Sequence, residues 1–134
     1  MKQRPPMGLV GELTLTVTEE HVIDFADAGM PAVFSTPKLI GLLERTARFS
    51  LAPYLENHER TVGVEIDLKH LAPAPLGAKV TLLTRVIGAE GVSVTFAVEA
   101  RDEHELIAKG IHKRSVIEVE SFTRRAMRKT THQP

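Results

Sequence analysis

An α+β fold, with a curved antiparallel sheet wrapped around one long central helix, is the architecture this sequence predicts. Three observations carry that prediction. One stretch of helical periodicity opens at Ser35-Thr36-Pro37 and runs to about Leu55. From Arg60 onward the chain becomes a series of segments alternating apolar and polar residues. The apolar face of such a sheet needs a cover, and a single long helix is the element available to supply it.

The elements follow in order. Leu9, Gly11, Leu13, Leu15 and Val17 alternate with Glu12, Thr14, Thr16 and Thr18, the period of a half-buried strand. Thr18-Glu19-Glu20-His21 reads as a helix start with Val22, Phe25 and Ala26 on its apolar side, broken by Gly29, Met30 and Pro31. In the long helix Thr36 is placed as the N-cap and Pro37 as the first helical residue. Ile40, Leu43, Ala47 and Leu51 share its apolar face, with Lys38, Arg45 and Arg48 largely opposite. Val62, Val64, Ile66, Leu68 and His70 are read on one side of the next strand, with Glu65, Asp67 and Lys69 on the other. Ala72 to Gly77, rich in proline, is a connection. Strands then carry Val80, Leu82 and Val86, next Val92, Val94, Phe96 and Val98, and finally Leu106 to Val119.

Length and composition bound the function. A chain of 134 residues can bury a core without staples, so one domain is expected over 1–134, its core at about 9–119 and a basic tail at 120–134. Lys and Arg number 17 and Asp and Glu 17, a balance that argues against a nucleic-acid partner. There is no cysteine, which excludes disulfides and thiolate chemistry. Met1 to Pro6 is polar and proline-rich, without the apolar stretch of a secretory leader, and no run is long enough to span a membrane. A cytoplasmic protein with no membrane partner is expected. One sheet and one helix leave edge and apolar surface uncovered, which points to a homodimer, with higher assembly left open.

Thr36, Glu44 and His70 stand out as residues able to do chemistry. Glu44 borders the apolar stripe of the helix, where a carboxylate needs a partner or a task. His70 lies on the apolar side of its strand, at the last position before the chain turns. Each has a plainer account: Thr36 as a cap, Glu44 as an i,i+4 partner of Arg48, His70 as a packed strand end. The other histidines (His21, His58, His104 and His132) sit in polar turns, at helix ends or in the tail, and no metal site is expected. No phosphate loop, nucleophile elbow or HEXXH helix occurs, and no cofactor is expected.

The order of a helix opening on Ser-Thr-Pro, an internal Glu, then Val-Gly-Val-Glu-Ile-Asp-Leu-Lys-His and Ala-Pro-Ala-Pro-Leu-Gly-Ala-Lys-Val resembles the hotdog-fold acyl-CoA thioesterases. It is most similar to the fluoroacetyl-CoA thioesterase type, over about residues 9 to 119. Eight residues separate Thr36 from Glu44 and twenty-six separate Glu44 from His70, as in the Thr/Glu/His set of that type. The resemblance implies a hotdog fold and hydrolysis of a short or medium acyl-CoA, with Thr36, Glu44 and His70 catalytic. It also implies that the backbone at Gly63 lies near the thioester, that Arg114 contacts coenzyme A, and that the site lies at a dimer interface. Where that type carries a Phe-bearing lid, this chain has Asp27, Gly29 and Met30, with Phe25 and Phe34 displaced, so a different acyl group is expected. Lys109, His112, Lys113 and Arg114 form a basic cluster read as a phosphate-facing surface or as an ordinary charged face. A noncatalytic acyl-CoA binding module and an enoyl-CoA hydratase or dehydratase are the alternatives. The latter usually pairs Asp and His near the helix start, and Ser35-Thr36-Pro37-Lys38 contains neither.

Overall fold

The computed structural model describes residues 1–131. Five strands form one antiparallel sheet: β1 (Val10–Thr16), β2 (Glu59–His70), β3 (Lys79–Glu90), β4 (Ser93–Arg101) and β5 (Leu106–Glu118). Their order is β1-β3-β4-β5-β2, so β1 and β2 are the edges. Helix α1 (Thr36–Leu51) lies across one face of the sheet, and α2 (Val119–Thr131) continues from the end of β5 as an exposed basic helix. Most of the expected tail forms α2, and only 132–134, with His132, lie outside the described residues.

The core sits between α1 and the sheet. Leu39, Leu43, Ala47 and Leu51, spaced at helical pitch, are fully buried against Val80, Leu82, Val94, Phe96, Val98 and Ile107. Each such leucine contributes about 1.5–3 kcal/mol relative to an exposed one. Leu39 replaces the expected Ile40 on the buried face, and Ile40 is half-buried beside it. The α-helix stops at Leu51, and a 3-10 turn over Ala52–Tyr54 completes the expected length, because Pro53 supplies no amide to the helical ladder.

Two expectations are corrected by the backbone. The helix read after Thr18 is a single 3-10 turn, Glu19–His21, in which Thr18 and His21 cap each other. Its apolar side has little to pack on: Phe25 is exposed, and the chain turns back through Ala28 and Gly29, both at positive φ. The even alternation read along β2 is interrupted. A β-bulge lies between Gly63 and Glu65, leaving Val64 as an extra residue opposite β5. Thr61 and Gly63 therefore face α1 before the bulge, whereas Ile66, Leu68 and His70 face it afterwards. Val64, expected in the core, is 64% exposed.

Candidate active site

Helix α1 begins one residue earlier in function than its sequence suggests. Ser35, not Thr36, is the N-cap: its hydroxyl accepts from the Lys38 amide at 3.3 Å. Thr36 is thereby released from capping and occupies the first turn with its hydroxyl turned to the end of β2. There Thr36 Oγ1 and His70 Nδ1 share a hydrogen bond of 2.7 Å. The other ring nitrogen, His70 Nε2, is covered by protein and has no hydrogen-bond partner among the described residues. Burial holds the His70 imidazole below its ordinary value of 6.5, against the opposing effect of the Ala72 backbone. The ring is accordingly neutral at pH 7, with one nitrogen engaged by Thr36 and one unengaged.

Glu44 stands two turns further along α1, about 12 Å of helical rise from Thr36. Its carboxylate turns to the middle of β2 and β5 rather than to Arg48, whose guanidinium lies over the Phe49 ring at 5.0 Å. Glu44 Oε2 is 3.7 Å from Arg114 Nη1 and 4.0 Å from His112 Nε2. The side chain packs directly on Gly63, where an added Cβ would collide with Oε2. Arg114 is only 4% exposed. It donates from Nε to Thr61 Oγ1 and from Nη2 to the Thr61 carbonyl, both at 2.9 Å, and from Nη1 to His112 Nε2 at 3.2 Å. Desolvation lowers the Arg114 pKa from its usual value and Glu44 opposes that shift, so the group stays charged.

A family model described as fluoroacetyl-CoA-specific thioesterase matches residues 17–120, which span both groups. The chain belongs to the fluoroacetyl-CoA-specific thioesterase family. A fluoroacetyl-CoA thioesterase of Streptantibioticus cattleyicolor is 36% identical over 103 residues, 77% of this chain and 74% of that protein. A solved structure of the fluoroacetyl-CoA thioesterase superposes with a TM-score of 0.87 at 28% identity, covering 98% of this chain and all of that one. A hotdog-like protein from Thermanaerovibrio acidaminovorans superposes with a TM-score of 0.88 at 24% identity, over 96% of this chain and 95% of its own. The sheet around α1 is thus a hotdog fold.

Within one chain of this thioesterase-family protein, the five residues singled out from sequence fall into two groups. Thr36 and His70 are in direct contact, and Glu44, Gly63 and Arg114 form a second cluster. The basic cluster read on β5 is divided by strand alternation. His112 and Arg114 point inward and are buried, while Lys113 reaches Glu65 Oε1 at 3.9 Å on the other side. Arg114 was expected to present its fork to a phosphate; in this chain that fork is occupied by Thr61, His112 and Glu44. Thr61 has no place in the sequence-based expectation, and His112 enters it only as a member of the basic cluster on the last strand. Strand parity with Val116 was the signal that places His112 and Arg114 inside, and the β2 bulge hid Thr61 by reversing the local phase.

Proposed function

We propose that the protein hydrolyses a short or medium acyl-CoA thioester at a site completed by a homodimer, with Thr36 and His70 from one chain and Glu44 and Gly63 from its partner. Membership in the family makes the chain a thioester hydrolase. The observation that carries the finer reading is the 2.7 Å bond between Thr36 and His70 at the start of α1, beside a neutral imidazole nitrogen with no partner. A hydroxyl bound to a half-buried, uncharged histidine at a helix N-terminus suits a reacting carbonyl, because the helix dipole favours the negative charge that develops there.

Support for a second chain comes from β2. It is a twelve-residue edge strand carrying both Gly63 and His70, with the apolar Val64 exposed. Long open edges seek partners. Antiparallel pairing of two β2 strands about a two-fold midway between Ile66 and Asp67 sets His70 of one chain opposite Gly63 of the other, and Glu44 comes with Gly63.

In the proposed reaction the Glu44 carboxylate takes a proton from water as the oxygen attacks the thioester carbon. The oxyanion is met by donors near Thr36 and by the backbone at Gly63. Collapse breaks the carbon–sulfur bond, and the proton held by Glu44 passes to the departing thiolate. His70 relays protons across this path. Direct attack by Glu44, giving a mixed anhydride that water then opens, uses the same placement.

The test is thiol release from a panel of acyl-CoA esters. Wild-type protein should release thiol from at least one short or medium ester, and Glu44→Gln should slow it on the order of a hundredfold or more. No release above background from the whole panel would favour a binding module instead.

A further inference from the structure

Resting on the reading of Glu44 as the reacting carboxylate, we propose that His112 is a positioning residue: as a neutral hydrogen-bond acceptor it clamps Arg114 into place as the counter-ion of Glu44. The hydrogen bonds around His112 define its protonation. Nδ1 lies 2.8 Å from the Glu65 carbonyl oxygen, which can only accept, so Nδ1 carries the proton. Nε2 lies 3.2 Å from Arg114 Nη1, which can only donate, so Nε2 is bare. The ring is 1% exposed and stacked near Phe96, with 6.2 Å between centroids, so it has no freedom to exchange these roles.

Three acceptors therefore fix the guanidinium: Thr61 Oγ1, the Thr61 carbonyl and His112 Nε2. The same Nη1 that binds His112 is the atom 3.7 Å from Glu44 Oε2. An arginine held on two sides by neutral acceptors spends no charge on them, and its field remains directed at Glu44. A protonated His112 would face Arg114 with an N–H and a second positive charge, which burial and Arg114 both oppose, while the Glu65 carbonyl and Glu44 act the other way. The remaining charge facing this group is Arg48 on α1, which acts on Arg114. The carboxylate of Glu65 lies with Lys113 instead.

The experiment compares the pH dependence of kcat/KM for wild type, His112→Leu, His112→Gln and Thr61→Val on one hydrolysed acyl-CoA ester. Loss of the clamp weakens the cation at Glu44, so the acid limb should move to higher pH in His112→Leu and kcat should fall about tenfold or more with KM little changed. His112→Gln, which can return an amide oxygen to Arg114, should recover most of the loss. Thr61→Val removes the Nε acceptor in a side chain of similar shape and should move the limb the same way; it stands in for His112→Leu if that variant does not fold. A wild-type acid limb and kcat in Thr61→Val together with no rescue by His112→Gln would overturn the proposal. Glu44→Gln run beside them separates the two readings: full activity there sinks the role of Glu44 itself, whereas its loss with unaffected clamp variants sinks only the role of His112.

Discussion

Replacing Gly63 by alanine should damage the chemistry while leaving the fold almost untouched. A Cβ built at this position clashes with Glu44 Oε2 and lies 3.4 Å from both Glu44 Cδ and His112 Cε1. Backbone is not what it strikes. The atom in the way is the far end of a flexible side chain, so the carboxylate swings aside and leaves Arg114 without its counter-ion. Gly63 has no positive φ, so alanine fits the backbone and gains roughly 0.5–1 kcal/mol over glycine within a strand. Set against the lost ion pair, the net change in stability should stay within about 1 kcal/mol. A carboxylate displaced by about 1 Å from its reacting position costs on the order of a hundredfold in rate. Thermal melting and thiol release, measured on the same preparations, read the two effects separately. Gly41→Ala is the matched control: among the described residues no neighbour outside its own turn of helix lies within 4 Å of its added Cβ, so turnover should be unchanged and stability should rise by up to about 1 kcal/mol. Wild-type turnover in Gly63→Ala would refute the claim that Glu44 works from where it stands.

The start of α1 separates capping from chemistry. Ser35→Ala should cost about 1 kcal/mol in stability with little effect on turnover, whereas Thr36→Val should cut turnover about tenfold or more with little change in melting, and Thr36→Ser should restore it. Acidification should destabilise the protein through its histidines. Burial depresses both His70 and His112 below 6.5, so as pH falls through that value the unfolded chain takes up protons first and stability is lost down to the folded values. Melting temperature should therefore fall as the pH is lowered from about 7 through the ordinary histidine range, with a shallower slope in His70→Asn; a rise on acidification would contradict the assignment.

Much of the fold was legible because period and position agreed. The alternation in β1, β3 and β4 matches the buried Gly11, Val80, Leu82, Val86, Val94, Phe96 and Val98. Helix α1 was legible from its Ser-Thr-Pro start, though not which hydroxyl caps it, since adjacent Ser35 and Thr36 are both able. The missed features share a cause. The bulge at Val64 changes phase within a strand whose residues alternate well on both sides, and no residue type announces it. That single insertion hid Thr61 and sent Val64 outward. The turn at Glu19–His21 carried helix-start residues without an apolar stripe able to find cover. For the site, Thr36, Glu44 and His70 stood out by residue type and place, and only the family resemblance implied that they act together. Spacing says nothing of partition, and the contacts assign them to two clusters along α1.

The composite site is tested most directly by mixing two inactive proteins. Glu44→Gln and His70→Asn chains, denatured and refolded together, form mixed dimers in which one site holds Thr36 and an intact His70 from one chain and an intact Glu44 from the other. Random pairing places one complete site in half of the dimers, so thiol release should return to about a quarter of the wild-type rate. A mixture as inactive as its two components would show that each chain works alone, or that Glu44 and His70 never meet.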